Sequence, residues 1–457
     1  MSDSTCALTI EVGHAPKAVR GRFQSIGFAC ALMLVFLRFS ALPDIIASLS
    51  RQNTYLLYVA GSVAILASVV SGRARRVFRQ KPAMFWLWFV FWMIFAVPFS
   101  SWKGGSFNFV VTYIKTDFVI LVTTACLART WTDCRKIIYT IAAAAAFTIA
   151  ISLIFDTGGD RFNFALSGSI GNSNDLAAHL LLVIPFLLFI ALKPRANLFF
   201  RLLSITAGAF GIFEILRASS RGALIALLLA TMFAFVRGSI RQKAVVGAGA
   251  VVALIFFAIL LPSSTRQRLM SFSNGADSNK EALESSEIRE YLLKQSIVYT
   301  LENPFWGVGP NQFAAYHASH APQGETKANL QFQPLWYETH NSYTEISSEC
   351  GIPALMFYLA AGISTFVLLG KIRKRAGGAY RPEIVIASHC LTIGLFAYSV
   401  AIFFVNFGYY YQFPAISGLV VAMWFAVNRK APAAARGDAP LRQTVPDRSQ
   451  MEPVELM

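Results

Sequence analysis

The sequence Trp336-Tyr-Glu-Thr-His-Asn-Ser-Tyr-Thr-Glu345 closes the longest comparatively polar stretch of the chain, which runs from about residue 262 to residue 349. The chain on both sides of this stretch is mostly apolar. Because charged and polar side chains are costly to place inside a lipid bilayer, water-exposed chemistry fits best in this stretch. We therefore expect two blocks of apolar spans to hold one polar segment that carries the site.

Composition indicates a membrane protein. The chain has 457 residues, of which 55% are hydrophobic and 14% charged, and its mean hydropathy is +0.53. A soluble protein of this length is rarely so apolar. The formal charge of +16 also suits a nucleic-acid-binding protein, but the Lys and Arg residues collect in short clusters between apolar runs, as in membrane proteins. We predict membrane lipids as surroundings and no nucleic-acid partner.

Apolar runs of spanning length recur along the chain, since a bilayer takes about 20 apolar residues to cross. We predict an all-α polytopic membrane protein with about twelve transmembrane helices, nine in residues 24–261 and three in residues 350–427. The candidate spans lie near residues 24–43, 54–72, 83–100, 107–128, 135–155, 174–192, 199–216, 220–236, 243–261, 350–370, 383–406 and 408–427.

Basic residues alternate between the connections. One set of connections is rich in Lys and Arg, for example residues 73–81 and 371–381, and the other set is poor in them. Since cytoplasmic loops are enriched in these residues, we predict a cytoplasmic N-terminus at 1–23, a cytoplasmic tail at 428–457 and an outward segment at 262–349. The tail has too little apolar content to fold, so we predict disorder there.

The outward segment has helical patterns of its own. Residues 281–300 predict an amphipathic helix at the membrane surface, which Asn303-Pro304 ends. A second helix is predicted to begin near Thr339 and to continue into the tenth span. The motif Asn303-Pro-Phe-Trp-Gly-Val-Gly309 resembles a phosphate loop, but no Lys-Ser/Thr follows it and no strand precedes it, so we favour a turn.

His340 is the leading candidate for chemistry. It lies shortly before the tenth span, on the outward side, beside Glu338 and Asn341. A histidine with a pKa near neutrality is suited to take a proton from a sugar hydroxyl. The alternative is an interfacial histidine that only hydrogen-bonds the backbone.

Arginines occur where the charge alternation makes them rare. Arg217 and Arg221 join the seventh and eighth spans on the outward side, where a diphosphate would explain both, since guanidinium groups match phosphate oxygens. Lipid headgroups are the alternative partner. Arg289 on the predicted surface helix, Arg161, and Arg38 inside the first span are further candidates. A charge as deep as Arg38 usually pairs or lines a cavity.

The segment Gly171-Asn-Ser-Asn174-Asp175 opens the sixth span. Asn and Asp side chains satisfy free N–H groups at a helix start, and this capping role explains them fully. His179 follows one turn later and is expected to hydrogen-bond Asp175.

Metal binding is not favoured. His317-Ala-Ser-His320 with His340 lacks the spacing of known zinc motifs, and no carboxylate completes the set. The sequence also has no Asp-x-Asp pair of the kind that holds a metal-bound nucleotide sugar. We therefore predict a site without metal or cofactor.

Several of these segments occur together in one order. The chain has Gly171-Asn-Ser-Asn174 at a span start, Ser220-Arg221-Gly222 between spans, Arg289 before Asn303-Pro-Phe-Trp-Gly-Val-Gly309, and His340-Asn341 before Gly351-Ile-Pro353. This order resembles the O-antigen ligase and polymerase superfamily from about the fifth span through the tenth.

The resemblance implies a GT-C-like membrane glycosyltransferase in a bacterial inner membrane, with its site facing the periplasm. It implies transfer of a glycan from undecaprenyl diphosphate onto lipid A-core in a ligase, which we favour, or onto a growing glycan in a polymerase. His340 is then the base, and Arg217 and Arg221 act on the diphosphate. Further substrate contacts are expected at Arg289, Arg161, Arg38, Asn174, Asn341 and Glu338.

Two other functions remain open. A protein O-oligosaccharyltransferase uses the same kind of donor. A secondary transporter also suits about twelve spans, but transporters place their polar residues near the midplane between repeated halves. Here the candidate residues gather at one face, which favours a transferase.

Overall fold

A computed structural model describes residues 21–50, 55–155, 172–238, 280–320 and 337–428, together with a few positions between 243 and 255. These residues form helices and connections without any strand. Eight of the described helices are long and apolar enough to cross a membrane. The predicted all-α membrane class is confirmed, and the count of about twelve spans stays a prediction. Most of the ninth span, Arg161 and the tail from residue 429 lie outside the described residues.

The first block contains α1 (Arg22–Phe39), α2 (Leu42–Ser50), α3 (Leu56–Val70), α4 (Ala74–Val77), α5 (Lys81–Ala96), α6 (Lys103–Tyr113), α7 (Val119–Leu127), α8 (Trp131–Ile154), α9 (Ser173–Leu192), α10 (Leu198–Arg217) and α11 (Arg221–Arg237). A π-helical turn, Ile114–Phe118, joins α6 to α7. The polar segment contains α12 (Lys280–Glu302) and α13 (Phe313–His320). The second block contains α14 (Ser342–Arg375), α15 (Arg381–Ala401) and α16 (Gln412–Val427).

Helices α7 and α16 form the centre of the bundle. Every residue of α7 is buried, as is every residue of α16 from Gln412 to Met423. A helix that is apolar all round belongs inside such a bundle. The two helices approach closely at Gly418, where a Cβ would lie 2.3 Å from Thr124 Oγ1. The other helices are arranged around this pair.

The two ends of the bundle differ in charge. At one end, Arg73 Nη1 donates to the carbonyl oxygens of Cys126 (3.0 Å) and Ala128 (3.1 Å), and Arg135 pairs with Glu383 at 3.2 Å. We call this the basic end. The opposite end, the site end, gathers the α5–α6, α10–α11 and α15–α16 connections and the start of α14. The connections that are rich in Lys and Arg in the sequence thus lie together at the basic end of the bundle.

The boundaries of the last two predicted spans were wrong. The spans were placed at 383–406 and 408–427, whereas α15 ends at Ala401 and α16 begins at Gln412. The residues between them, Ile402–Tyr411, form a connection that we call the site loop. Asn406 and Gly408 break the helix within an apolar run. By contrast, the helix predicted at 281–300 is confirmed as α12, which ends just before Asn303.

Candidate functional site

The motif at residues 303–309 is a clamp on α14. Gly351, with φ +80°, interrupts the helical geometry of α14. The N–H groups of Val308 and Gly309 therefore reach the carbonyl oxygens of Ser348 (2.8 Å) and Glu349 (2.9 Å). The prediction of a turn is confirmed, since these backbone groups bind the helix and not a phosphate.

Glu349 extends the clamp to α13. Its carboxylate, only 4% exposed, accepts from Asn311 N at 2.7 Å and from Phe313 N at 3.0 Å. The second bond caps the start of α13, because the first N–H groups of a helix lack partners within it. The chain from residue 303 to α13 is thereby held on α14.

His340 stands at the junction between an irregular segment and α14. Asn341 caps α14, since its side-chain oxygen accepts from Tyr343 N (2.9 Å) and Thr344 N (3.1 Å). His340 itself has a left-handed φ of +51°, which costs a non-glycine residue about 1–2 kcal/mol. The strain is held by the segments on either side. Asn341, expected to bind substrate, is committed to the helix cap.

The imidazole of His340 is available for a ligand. Among the described residues, neither ring nitrogen has a hydrogen-bond partner, and the side chain is only half-buried. Burial lowers the pKa of His340 from its usual 6.5 to about 4, and the positive charge of Arg289 also lowers it. The ring is therefore neutral near pH 7 and can accept a proton.

Arg289 connects three parts of the site. It lies half-buried on α12 and acts electrostatically on both His340 and Asp175. Asp175 is also within electrostatic range of Glu338. Thus α12, the start of α9 and the segment before α14 converge at the site end, although they are far apart in the sequence.

The capping interpretation of the segment that opens α9 is confirmed. Asn172 is the cap: its side-chain oxygen accepts from Asp175 N at 2.9 Å, and its amide donates to Asp175 Oδ2 at 2.7 Å. Asn174, the predicted substrate contact, lies half-exposed on the first turn of α9.

The turn between α10 and α11 carries two arginines and contacts the site loop through Gly222. Arg217 ends α10 and Arg221 begins α11, and both are half-buried. The next residue, Gly222, touches the ring of Phe404 so closely that a Cβ would lie 2.3 Å from it. Because the site loop also binds the start of α14, the arginine turn and His340 share one supporting loop.

The chain matches the family model described as O-Antigen ligase (Wzy_C) over residues 206–359. This domain belongs to the O-antigen ligase and polymerase superfamily. The resemblance inferred from the sequence is confirmed for it, and it contains His340, Arg217, Arg221 and Arg289. No curated protein matches the chain.

An apolar groove of about 450 Å³ opens beside the candidate site. It lies between α11, α14, α15 and the site loop, and its walls include Ile225, Leu355, Leu359, Phe403 and Phe404. Ile225 is one helical turn from Arg221, and Tyr343, also in the wall, is three residues from His340. The hydroxyl of Tyr343 donates to Ser399 O at 2.7 Å, which leaves the wall apolar.

Arg38 is paired inside the bundle, as expected for a charge at that depth. It forms an ion pair with Asp117 at 3.3 Å and lies 5.2 Å from the centre of the Tyr411 ring. The expected bond between His179 and Asp175 was wrong, because His179 Nε2 lies 3.2 Å from Phe39 O.

The ligase-family domain also contains an aromatic cluster. His317 Nδ1 lies 3.0 Å from the Tyr299 hydroxyl, and His317 stacks on Phe313 with ring centres 5.7 Å apart. Burial lowers the pKa of His317. In the described ranges no group of His, Cys, Asp or Glu has the arrangement of a metal site.

Some residues of the site were missed in the sequence. The site loop was assigned to spans, so Asn406 was not considered, and Asp175 was treated only as part of a helix start and as a partner of His179. The Asn406-Phe-Gly408 breaker pattern inside an apolar run was a usable signal for the loop. No pattern in the sequence indicates that Asp175 lies near Arg289, because the two residues are far apart along the chain.

Proposed function

We propose that this protein is an O-antigen ligase, which transfers O-antigen glycan from undecaprenyl diphosphate to lipid A-core. The observation that carries the proposal is the imidazole of His340, which has no hydrogen-bond partner among the described residues and is within electrostatic range of Arg289, inside a domain that matches the O-antigen ligase family. The match supports a glycosyltransferase, and the geometry supports a proton acceptor next to a binder of anions.

The reaction we propose is a direct displacement. A ring nitrogen of His340 takes the proton of the acceptor hydroxyl, and the hydroxyl oxygen attacks the anomeric carbon of the donor sugar. The bond between that carbon and the diphosphate oxygen breaks, and the diphosphate leaves with the electron pair. This displacement inverts the anomeric carbon.

Arginines stabilise the leaving group in this proposal. Arg217, Arg221 and Arg289 bind the diphosphate, since preorganised cations are most effective where negative charge develops. The apolar groove beside Arg221 and Tyr343 supports a donor whose phosphate end meets arginines while its isoprenoid chain lies on apolar walls. Because the groove lies beside Arg221, it also supports a lipid-linked donor over a soluble one.

The remaining candidates have different relations to the substrates. We propose Arg161, Asn174 and Glu338 as glycan contacts. Arg38 is committed to Asp117 and Asn341 to the α14 cap, so both are proposed to support the site from behind.

Orientation follows from the ends of the bundle. We propose that the basic end, with Arg73, Arg135 and Arg375, faces the cytoplasm of a bacterial inner membrane, because cytoplasmic connections are rich in Lys and Arg. The site end then faces the periplasm, where lipid A-core is the acceptor.

The deciding experiment is deletion of the gene in an O-antigen-producing host, followed by electrophoresis of the lipopolysaccharide. A ligase predicts loss of every long band. A core that carries a single repeat unit would instead show a polymerase, and glycan on protein would show an O-oligosaccharyltransferase.

The arginines are tested by binding of undecaprenyl diphosphate to the purified protein. Arg221→Ala should weaken binding about 10- to 100-fold, because a hydrogen bond to a charged group contributes about 1.5–3 kcal/mol. Arg221→Lys should recover only part of it, since Lys lacks the planar fork. The matched control is Arg237→Ala, at the other end of α11, and equal effects at both ends would contradict the proposal.

A further inference from the structure

The backbone before His340 is held by a side chain from elsewhere. Residues 337–341 are in no helix, and His340 has the left-handed φ of +51°. Asn406, in the site loop, reaches this segment with both ends of its amide. Its Nδ2 donates to Glu338 Oε2 at 2.8 Å, and its Oδ1 accepts at 3.2 Å from Thr339 Oγ1, whose hydrogen is shared with Asn341 O at 3.2 Å.

The carboxylate of Glu338 bonds the site loop. Among the described residues no hydrogen bond joins Glu338 to His340, and the Glu338 carboxylate meets Asn406 instead. Glu338 therefore influences the position of His340 through the backbone of Thr339, which lies between them in the sequence.

Asn406 is itself held by the residue that follows the cap. The hydroxyl of Ser342 donates to Val405 O at 2.7 Å and accepts from Phe407 N at 2.7 Å. Both neighbours of Asn406 are thus bonded to one side chain, two residues after His340. Glu338 and Thr339, before His340 in the sequence, and Ser342, after it, are therefore all bonded to residues 405–407 of the site loop.

We propose that Asn406 is a positioning residue for glycan transfer, which fixes the two residues before His340 and thereby aims the imidazole at the acceptor hydroxyl. This inference rests on the proposed function. An amide suits the position because one planar group donates to a carboxylate and accepts from a hydroxyl. Asp would lose the donor and repel Glu338, and Ala would lose both bonds.

The test measures kcat and KM of the purified full chain with undecaprenyl diphosphate-linked glycan and lipid A-core. Asn406→Ala should lower kcat by about 100-fold, since small misplacements of a catalytic group have effects of that order. KM for the donor should stay within about twofold, because the diphosphate is bound by other residues. Asn406→Asp should lower kcat further.

A rescue variant separates positioning from general packing. Glu338→Gln should recover part of the kcat lost in Asn406→Asp, because the new amide can donate to the new carboxylate and reverse the polarity of the bond. The matched control is Asn428→Ala at the basic end. Asn428 also makes two side-chain hydrogen bonds, with Arg375 (2.8 Å) and with Trp424 O (2.8 Å), and its loss should leave kcat within about twofold.

Two results would overturn the inference while leaving the proposed function intact. One is a kcat for folded Asn406→Ala like that of Asn428→Ala while His340→Ala is inactive. The other is failure of Glu338→Gln to recover any activity. If Asn406→Ala does not fold, Thr339→Val removes one of the two bonds and must lower kcat selectively, and unchanged kcat there rejects the inference. Full activity of His340→Ala would instead remove the proposed function.

Discussion

Two residues near the start of α14 have left-handed backbone, and they are used differently. Gly351 has φ +80° and His340 has φ +51°. At Gly351 no Cβ is present to strain the backbone, and the carbonyl groups around the kink are bonded. At His340 a full side chain is strained, and its imidazole has no hydrogen bond among the described residues. Gly351 therefore belongs to the scaffold, whereas His340, which lies just before the same helix, is the candidate for chemistry.

The kink at Gly351 is surrounded by packed aromatic side chains. Trp92 Nε1 donates to Cys350 O at 3.0 Å, and the Trp92 ring stacks on Trp306 with centres 5.0 Å apart. Phe99 stacks on Trp306 in turn, at 4.5 Å. Three aromatic rings thus fasten the motif at residues 303–309 to α5 and α14. Strained backbone at a residue with a full side chain often marks a functional position, which makes His340 the candidate of the two.

The largest effect is expected from His340→Ala. Removing the proton acceptor should lower transfer by at least about 100-fold, while thermal unfolding of the detergent-solubilised protein changes little. The matched control is His320→Ala, since His320 is an exposed histidine on α13 and should be dispensable. Equal activities of the two variants would erase the distinction between His340 and the scaffold.

The next largest effect is expected from Gly351→Ala, and it should appear in folding. The new Cβ would lie 2.2 Å from Phe305 O at a φ of +80°, so we expect at least about 2 kcal/mol of destabilisation. Yield after membrane insertion and the unfolding midpoint measure this. Gly370→Ala is the control in the same helix, where only the tip of Arg373 comes within 3.9 Å. A normal unfolding midpoint for Gly351→Ala would show that the kink is not a rigid part of the scaffold.

A moderate effect is expected from pH. The active form of His340 is the neutral one, and its pKa is lowered to about 4, so kcat/KM should be level near neutrality and fall only as the pH approaches about 4. Arg289→Gln removes one cause of the lowered pKa and should move this fall to higher pH. A fall centred at the usual histidine pKa of about 6.5 in the unaltered protein would contradict the burial of the ring.

The smallest effect is expected from removing metal ions. Dialysis against EDTA should leave the transfer rate unchanged, because the proposed chemistry uses a histidine and arginines. Activity that is lost on chelation and restored by one divalent ion would contradict this and would require ligands beyond those proposed here.

Much of the fold was accessible from local patterns. Hydropathy predicted the membrane class, and the helix-breaking Asn303-Pro304 correctly ended α12. The last two spans were misplaced because Ile402–Tyr411 is nearly as apolar as the helices beside it, so composition alone did not separate loop from helix. His340 and Arg289 were selected by their position before and within predicted helices, and their proximity was a hypothesis until the structure placed them within electrostatic range.

By itself, the sequence determined the all-α membrane class, the polar segment, the alternation of basic connections and a short set of candidate residues. These are local properties of apolar length, charge and helix breakers, and they need no knowledge of distant partners. Only the tertiary structure decided which residues meet: Arg38 with Asp117, Gly222 with Phe404, and Asn406 with Glu338 and Thr339. Such contacts join residues tens to hundreds of positions apart, and they depend on how the helices pack, which no spacing rule along the chain records.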